Sequence, residues 1–269
     1  MEEPVKRIAF AGAGNVAWHL SQAFSEAGFS ISGVWSRDKQ NSEKLASLCN
    51  SKSFEKLKDL QDTTDLILIT VPDKAIAGVA ENFAGFNGIV AHTAGSVNIA
   101  ILEACCRKAG VMYPLQTFTK DVFTEMAEVP FFIESALPEV REKLQHTALK
   151  LSQKVHFADS AKRLTLHVAA VFAGNYSNLM YTISRDLLER NLLPADALNP
   201  LIKETARKAI LTDPYHAQTG PARRSDTETL KKHFNALIEF PEYADLYQQL
   251  SEIIQTKYKP LNPSKHVEL

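Results

Sequence analysis

The first 158 residues alternate between two rhythms of apolar and polar positions. Short β-rich runs occupy 7–11, 31–35, 65–71 and 89–92, and the segments between them, 16–28, 41–48 and 73–83, carry apolar residues at helical spacing. Leu66-Ile67-Leu68-Ile69 is apolar without alternation, as expected of a strand covered on both faces. This succession predicts an α/β fold, a Rossmann-type doubly wound, mainly parallel sheet. Two further strands, 110–113 and 129–133, extend the sheet; after Pro138 a helix (139–151) and the run 155–157 close a first domain, 1–158.

From Asp159 no strand signal returns, and residues 159–269 read as an all-α domain. Ser160 is placed to cap a helix over 161–191, roughly 30 residues and about 45 Å long at the usual rise. Asn199-Pro200 reads as a cap followed by a first-turn proline, starting a helix to Leu211. Ser225 and Glu228 have the spacing of a capping box. Pro241 opens a last helix ending near Tyr258, and the tail KPLNPSKHVEL has little to bury and is expected to be mobile.

Composition narrows the class. Among 269 residues, 30 Lys and Arg balance 31 Asp and Glu, so no field favours nucleic acid or an anionic membrane. The start MEEPVKRIAFAGAG lacks the apolar core of a secretory signal, and no apolar run approaches a membrane span. Cys49 and the adjacent Cys105-Cys106 fit neither a disulfide framework nor a zinc site, so no metal is expected. A cytoplasmic protein is expected, with a small-molecule substrate and neither nucleic acid nor membrane as partner.

The candidate chemistry begins at IAFAGAGNVAWHL (8–20), where Gly12-x-Gly14-x-x-Ala17 follows the first strand and opens a helix. Gly12 permits the tight turn, Gly14 lets backbone approach a pyrophosphate, and Ala17 lets helix and sheet pack closely. The amides of Asn15, Val16 and Ala17 begin the helix and face the phosphates. The alternative is a turn that only joins strand to helix. At the end of the second strand, Ser36 stands where an NAD site wants a carboxylate, and Arg37 follows it. Ser36 can donate to a 2′-phosphate, and Arg37 can pair with it and stack on adenine, so NADP is expected. Asp38 keeps an NAD reading open, and Arg37 also reads as a solvated surface charge. Val71 and Pro72, ending another strand, are expected against the cofactor, the other reading of this stretch being an ordinary strand–turn–helix junction.

AHTAGSVN (91–98) and MYPLQTF (112–118) follow strands at the same carboxyl edge, gathering His92, Ser96 and Gln116 where a nicotinamide end should lie. His92 also reads as bonding a loop carbonyl, and Ser96 as a helix cap. On the long helix, LHVAAVFAGNYSNL (166–179) sets His167, Val171 and Asn175 at steps of four, on one face left slim by alanines and Gly174. His167 is the candidate proton donor, since histidine ordinarily titrates near neutrality. Asn175 would position a carbonyl or imine. A plain alanine-rich core helix is the other reading. Arg223 or Arg224 could reach a substrate carboxylate, in its own subunit or across a dimer, though both also read as ordinary surface arginines.

Taken in order, Gly-x-Gly-x-x-Ala, Trp-Ser-Arg, Val-Pro-Asp, His-Thr-Ala-Gly-Ser, Tyr-Pro-Leu-Gln-Thr-Phe, His-x-Ala-Ala-Val-Phe and Thr-Gly-Pro…Arg-x-Asp resemble one family from residue 7 to about 240. It is that of NADP oxidoreductases joining a Rossmann-like domain to an all-helical C-terminal domain of unassigned function. That family is itself similar to pyrroline-5-carboxylate reductases, 3-hydroxyacid dehydrogenases and deazaflavin-dependent NADP oxidoreductases. In those relatives the helical domain makes dimers and the active site lies between the domains. The resemblance implies a homodimer through the helical domain, and hydride transfer between NADPH and a small C=O or C=N substrate. His167 would be the acid, with Asn175, His92, Gln116 and Ser96 about the substrate. One departure stands out: four residues before Asn175, where the 3-hydroxyacid dehydrogenases keep a lysine, this chain has Val171. That leaves a second reading, a non-catalytic NADP(H) sensor.

Overall fold

The structure, a computed structural model, describes residues 3–62 and 64–258. The tail expected to be mobile, 259–269, lies outside them. The chain divides into two compact units, Met1–Ser177 and Asn178–Leu269.

The first unit is built on an eight-stranded sheet: β1 Arg7–Ala11, β2 Ser30–Trp35, β3 Ser53–Phe54, β4 Leu66–Ile69, β5 Ile89–His92, β6 Ala109–Pro114, β7 Phe131–Glu134 and β8 Val155–Phe157. Their spatial order is β3-β2-β1-β4-β5-β6-β7-β8, and every pairing is parallel except β6 with β7. The fold is the α/β sheet expected from the sequence, with one short strand, β3, that no apolar run announced. Its helices are α1 Asn15–Glu26, α2 Lys39–Leu48, α3 Ile76–Ala80, α4 Ala100–Glu103, α5 Pro138–Leu149 and α6 Ser160–Ala170.

The strands' unbroken apolar runs have a simple cause. Ile8, Phe10, Leu66 and Leu68 point to one face, against Leu20, Phe24 and Leu144. Ala9, Ala11, Ile67 and Ile69 point to the other, against Ile76, Val79, Phe83 and Leu102. Phe10, Phe24 and Phe83 are wholly buried, each worth about 1.5–3 kcal/mol of removal from water. Because β1, β4, β5 and β6 run parallel, their carboxyl ends share one edge of the sheet.

Several local expectations change. The predicted helix 73–83 is two 3-10 turns, Asp73–Ala75 and Glu81–Phe83, flanking the single turn and a half of α3. The cap of α6 is Asp159, whose carboxylate accepts from the Lys162 amide at 2.8 Å. Ser160 is held elsewhere: its amide and hydroxyl donate to Glu134 and its oxygen accepts from the Ile99 amide. The long helix predicted over 161–191 is not a single α-helix. After α6, Val171–Tyr176 form a π-helical segment, and α7 spans Ser177–Arg190.

Beyond α7 the second unit contains α8 Asn199–Leu211, α9 Pro214–Ala217, α10 Pro221–Arg224, α11 Thr227–Ala236 and α12 Pro241–Lys257. Leu198, not Asn199, holds the cap position of α8, without a side-chain bond. Asp226, not Ser225, caps α11, accepting from the Thr229 amide and hydroxyl at 3.1 and 2.8 Å. Ser225 instead ends α10 with φ +55°, a left-handed geometry that turns it out of register with a capping box.

Candidate functional site

The first feature at the carboxyl edge is the glycine turn between β1 and α1. Gly12 has φ +133°, and a Cβ there would stand 2.5 Å from the Thr70 carbonyl oxygen, so only glycine fits. Its amide donates to the Trp35 carbonyl at 2.7 Å, tying β1 to β2 at the turn. Gly14 is the N-cap of α1 and no side chain caps that terminus. A Cβ on Gly14 would meet no protein atom nearer than Thr70 O at 4.0 Å, so protein packing does not demand that glycine. The space beside it is left open, and the helix's first amides are free to point at an anion. Ala17 is fully buried beneath them.

An open cavity of about 280 Å³ continues from the turn, lined by Gly12, Ala13, Gly14, Trp35, Ser36, Arg37, Asp38, Asn41, Thr70, Val71, Pro72 and Lys120. Two of its charges differ sharply. The Asp38 carboxylate is committed to α2, accepting from the Gln40 and Asn41 amides at 3.0 and 3.3 Å and from Asn41 Nδ2 at 2.8 Å. Arg37 is exposed and has no hydrogen-bond or ion-pair partner among the described residues. A dinucleotide fits these residues: unshielded amides for a diphosphate, and beside them a free guanidinium with no competing free carboxylate. The side chain of Asn15 takes no part, because its Nδ2 donates to the Phe118 carbonyl at 2.9 Å. That bond draws the loop after β6 across the start of α1. His19 Nε2 reaches the Thr119 carbonyl at 2.9 Å, and Lys120 stands 5.2 Å from the Trp18 ring centroid. Lys120 so arrives at the cavity from far along the chain.

The second feature lies beyond the ends of β5 and β6. Arg163, on α6, is 1% exposed and bonds Glu134 at 2.6 Å, the Ala94 carbonyl at 3.2 Å, the Val97 carbonyl and Ser160 Oγ. Burial lowers its pKa, and the Glu134 carboxylate acts against that shift. One helical turn on, His167 lays its ring against Gly95, where a Cβ would stand 2.8 Å from Cγ and Nδ1. Its Nδ1 is 3.2 Å from the Tyr113 hydroxyl, with the rings edge to face. Nε2 of His167 has no hydrogen-bond partner among the described residues.

The other expected residues meet different fates. His92 is wholly buried; its Nδ1 accepts from the Ala94 amide at 3.2 Å and its Nε2 has no partner among the described residues. Burial, aided by the Arg163 charge, pushes its pKa down to about 3, which keeps the ring neutral near pH 7. Ser96 is exposed and donates to the Asp73 carboxylate, while Asn98 Oδ1 serves α4 by accepting from the Ala100 amide at 2.9 Å. Gln116 is exposed and turns back, its Oε1 accepting from the Thr117 amide at 2.8 Å. Asn175 is exposed in the π segment. The Val171 amide still donates to the His167 carbonyl, so these two keep the helical step of four, and the π segment carries the chain from Val171 to Asn175. A Cβ on neighbouring Gly174 would sit 3.4 Å from Thr117 Cγ2, which brings the π segment to the loop that carries Gln116. In the second unit, Arg223 packs 5.0 Å from the Tyr258 ring and donates to the Tyr258 carbonyl. Tyr113 belongs to the MYPLQTF stretch, but Arg163, Glu134 and Lys120 are not singled out by the sequence; an arginine followed four residues later by histidine on an apolar helix is the available signal for the first of them.

The comparisons bear on both features. A family model described as a Rossmann-like domain matches residues 1–117, and one described as a domain of unknown function (DUF2520) matches residues 129–254. No curated protein matches the sequence. Among solved structures, one titled putative NADP oxidoreductase from Bacteroides fragilis is 36% identical, with 93% of this chain and 98% of that chain covered and a TM-score of 0.89. A Plasmodium falciparum pyrroline carboxylate reductase with NADP bound is 14% identical, covering 96% and 100%, at TM-score 0.61. A Streptomyces aurantiacus imine reductase is 13% identical, covering 93% and 95%, at TM-score 0.65. The last two share the fold.

Proposed function

The chain belongs to the family that joins a Rossmann-like domain to the DUF2520 domain, and from that premise we propose that it is an NADPH-dependent oxidoreductase reducing a small C=O or C=N compound. The observation that carries this reading is the glycine turn: Gly14 is open where protein packing would have accepted a side chain, and Arg37, unpaired among the described residues, stands beside it. The amides at the start of α1 hold the diphosphate, and Arg37, with Lys120 across the cavity, holds the 2′-phosphate. Bound there, the reduced nicotinamide supplies a hydride. His167 donates the proton to the atom that becomes O–H or N–H, its free Nε2 being the available ring position. Gln116 and Asn175 orient the substrate from the loop after β6 and the π segment, both being exposed and close to one another through Thr117 and Gly174.

The chain works as a homodimer through its helical unit, where Leu201, Ile210, Ile238 and Ile253 are more than half exposed. Three free cysteines suit the reducing cytoplasm, and no described helix is long and apolar enough to cross a membrane. The test is a titration of the purified protein with NADPH and NADH, followed by NADPH oxidation against a panel of ketoacids, aldehydes and cyclic imines. Saturable, NADPH-selective binding with turnover of at least one carbonyl or imine is expected. Absence of saturable binding by either coenzyme overturns the reading, and binding without any turnover replaces it with a coenzyme sensor.

A further inference from the structure

Resting on the reading of His167 as proton donor, we propose that Tyr113 and His167 form a two-proton relay, backed by the buried Arg163 cation, which selects a substrate whose reacting heteroatom accepts a hydrogen bond: a carbonyl oxygen rather than the N–H of an iminium ion.

The surroundings of the phenol argue for one direction of the bond. Tyr113 is 8% exposed, and the only hydrogen-bond partner of its hydroxyl among the described residues is His167 Nδ1 at 3.2 Å. Burial pushes the phenol's pKa up, with Arg163 acting the other way, so at neutral pH the hydroxyl keeps its hydrogen. A buried phenol with one acceptor donates to it. Nδ1 of neutral His167 is then the lone-pair nitrogen, and Nε2 carries the ring proton outward. Nothing in this pair is loose. Tyr113 is held in the β6 ladder opposite Phe132, and His167 is clamped between Gly95 and the tyrosine. Arg163, four residues before His167, bolts α6 to the same loop through the Ala94 and Val97 carbonyls.

The proton balance follows. As hydride from NADPH forms the new C–H bond and the carbonyl π bond opens onto oxygen, the Nε2 proton passes to that oxygen. The Tyr113 proton passes to Nδ1, so the imidazole ends neutral and the net charge left behind is a phenolate near Arg163. Solvent later restores the phenol's proton by way of His167. A carbonyl oxygen offers Nε2–H a lone pair throughout. An iminium nitrogen has none and would set N–H against N–H, an unpaired donor costing about 1–3 kcal/mol.

The test uses protein labelled with nitrogen-15 histidine, full length, wild type and Tyr113→Phe, with His167→Gln to assign the resonance. Long-range nitrogen–proton correlation reads the tautomer directly and needs no coenzyme. The expected result is His167 protonated on Nε2 in wild type, with a shift towards the Nδ1-protonated form in Tyr113→Phe. An Nδ1–H tautomer in wild type overturns the relay even if the variant fails to fold, and so does a pattern unchanged in a folded variant. In the NADPH-oxidation panel, Tyr113→Phe should lower kcat on carbonyl compounds by about a hundredfold with KM little changed. Turnover of preformed cyclic iminium salts with carbonyls inert overturns the substrate assignment. Failure of NADPH to bind instead removes the oxidoreductase reading while the tautomer measurement still stands.

Discussion

His92 ties the packing of the sheet to a measurable pH response. Its ring is wholly buried, and burial, reinforced by Arg163, brings its pKa from an ordinary 6.5 to about 3. The unfolded chain takes up a proton at this residue below pH 6.5 and the folded chain does not. The stability that this neutral imidazole contributes is therefore complete above that pH and is lost as pH falls towards 3. Integrating between the two values, the folded state at pH 5 should have lost about 2 kcal/mol relative to pH 7 through this residue alone. His92→Leu removes the titration. It also deprives the Ala94 amide of its acceptor, but that cost is the same at both pH values and cancels in the comparison. Urea unfolding followed by tryptophan emission is the assay, because both tryptophans, Trp18 and Trp35, belong to the first unit and report on it. Wild type should lose about 2 kcal/mol more than His92→Leu between pH 7 and pH 5. Equal losses in the two proteins would mean that the folded imidazole takes up its proton normally, and the burial argument fails.

Three further outcomes are expected. Gly12→Ala, forced to φ +133° against the Thr70 carbonyl, should lose about 2 kcal/mol or more in the same urea assay, whereas Gly14→Ala should fold normally and lose NADPH binding at least about tenfold, because its Cβ enters only the open space. Arg37→Ala should weaken NADPH by about ten- to a hundredfold in a fluorescence titration and leave NADH nearly unchanged; equal effects would remove the 2′-phosphate assignment. Arg163→Leu, which strands the Glu134 carboxylate at 14% exposure, should destabilise the first unit by about 3–5 kcal/mol, and adding Glu134→Gln should recover part of that loss.

The fold was legible where one physical cause dominated. A sheet buried on both faces makes strands such as Leu66–Ile69 apolar without alternation, and the glycine turn follows the first of them as its geometry requires. Features that depend on pairings distant in sequence were not legible. Glu134 and Arg163 meet only because β7 lies antiparallel beside β6 and α6 returns over the β5 loop. Lys120 reaches the glycine turn because Asn15 holds a loop about a hundred residues away, a bond no local pattern announces. The long helix expected over 161–191 assumes unbroken α-helical pitch, and no residue pattern announces the six-residue π segment Val171–Tyr176. At α6 and α11 the cap went to an aspartate beside the expected serine. Asp159 took the helix because Ser160 was already bonded to Glu134.

The same competition weighs on the choice of coenzyme. Asp38 is the carboxylate that lines the cavity at the end of β2, and it cannot both accept the amides that begin α2 and accept the hydroxyls of a ribose. In this fold Asp38 is spent on the helix, with three donors around it. What remains at the cavity is a serine hydroxyl and an arginine without a partner among the described residues, groups that attract a phosphate and offer no carboxylate to a ribose diol. Coenzyme preference is thus set by how a helix terminus satisfies its amides, and only then by which charged residue happens to follow the strand.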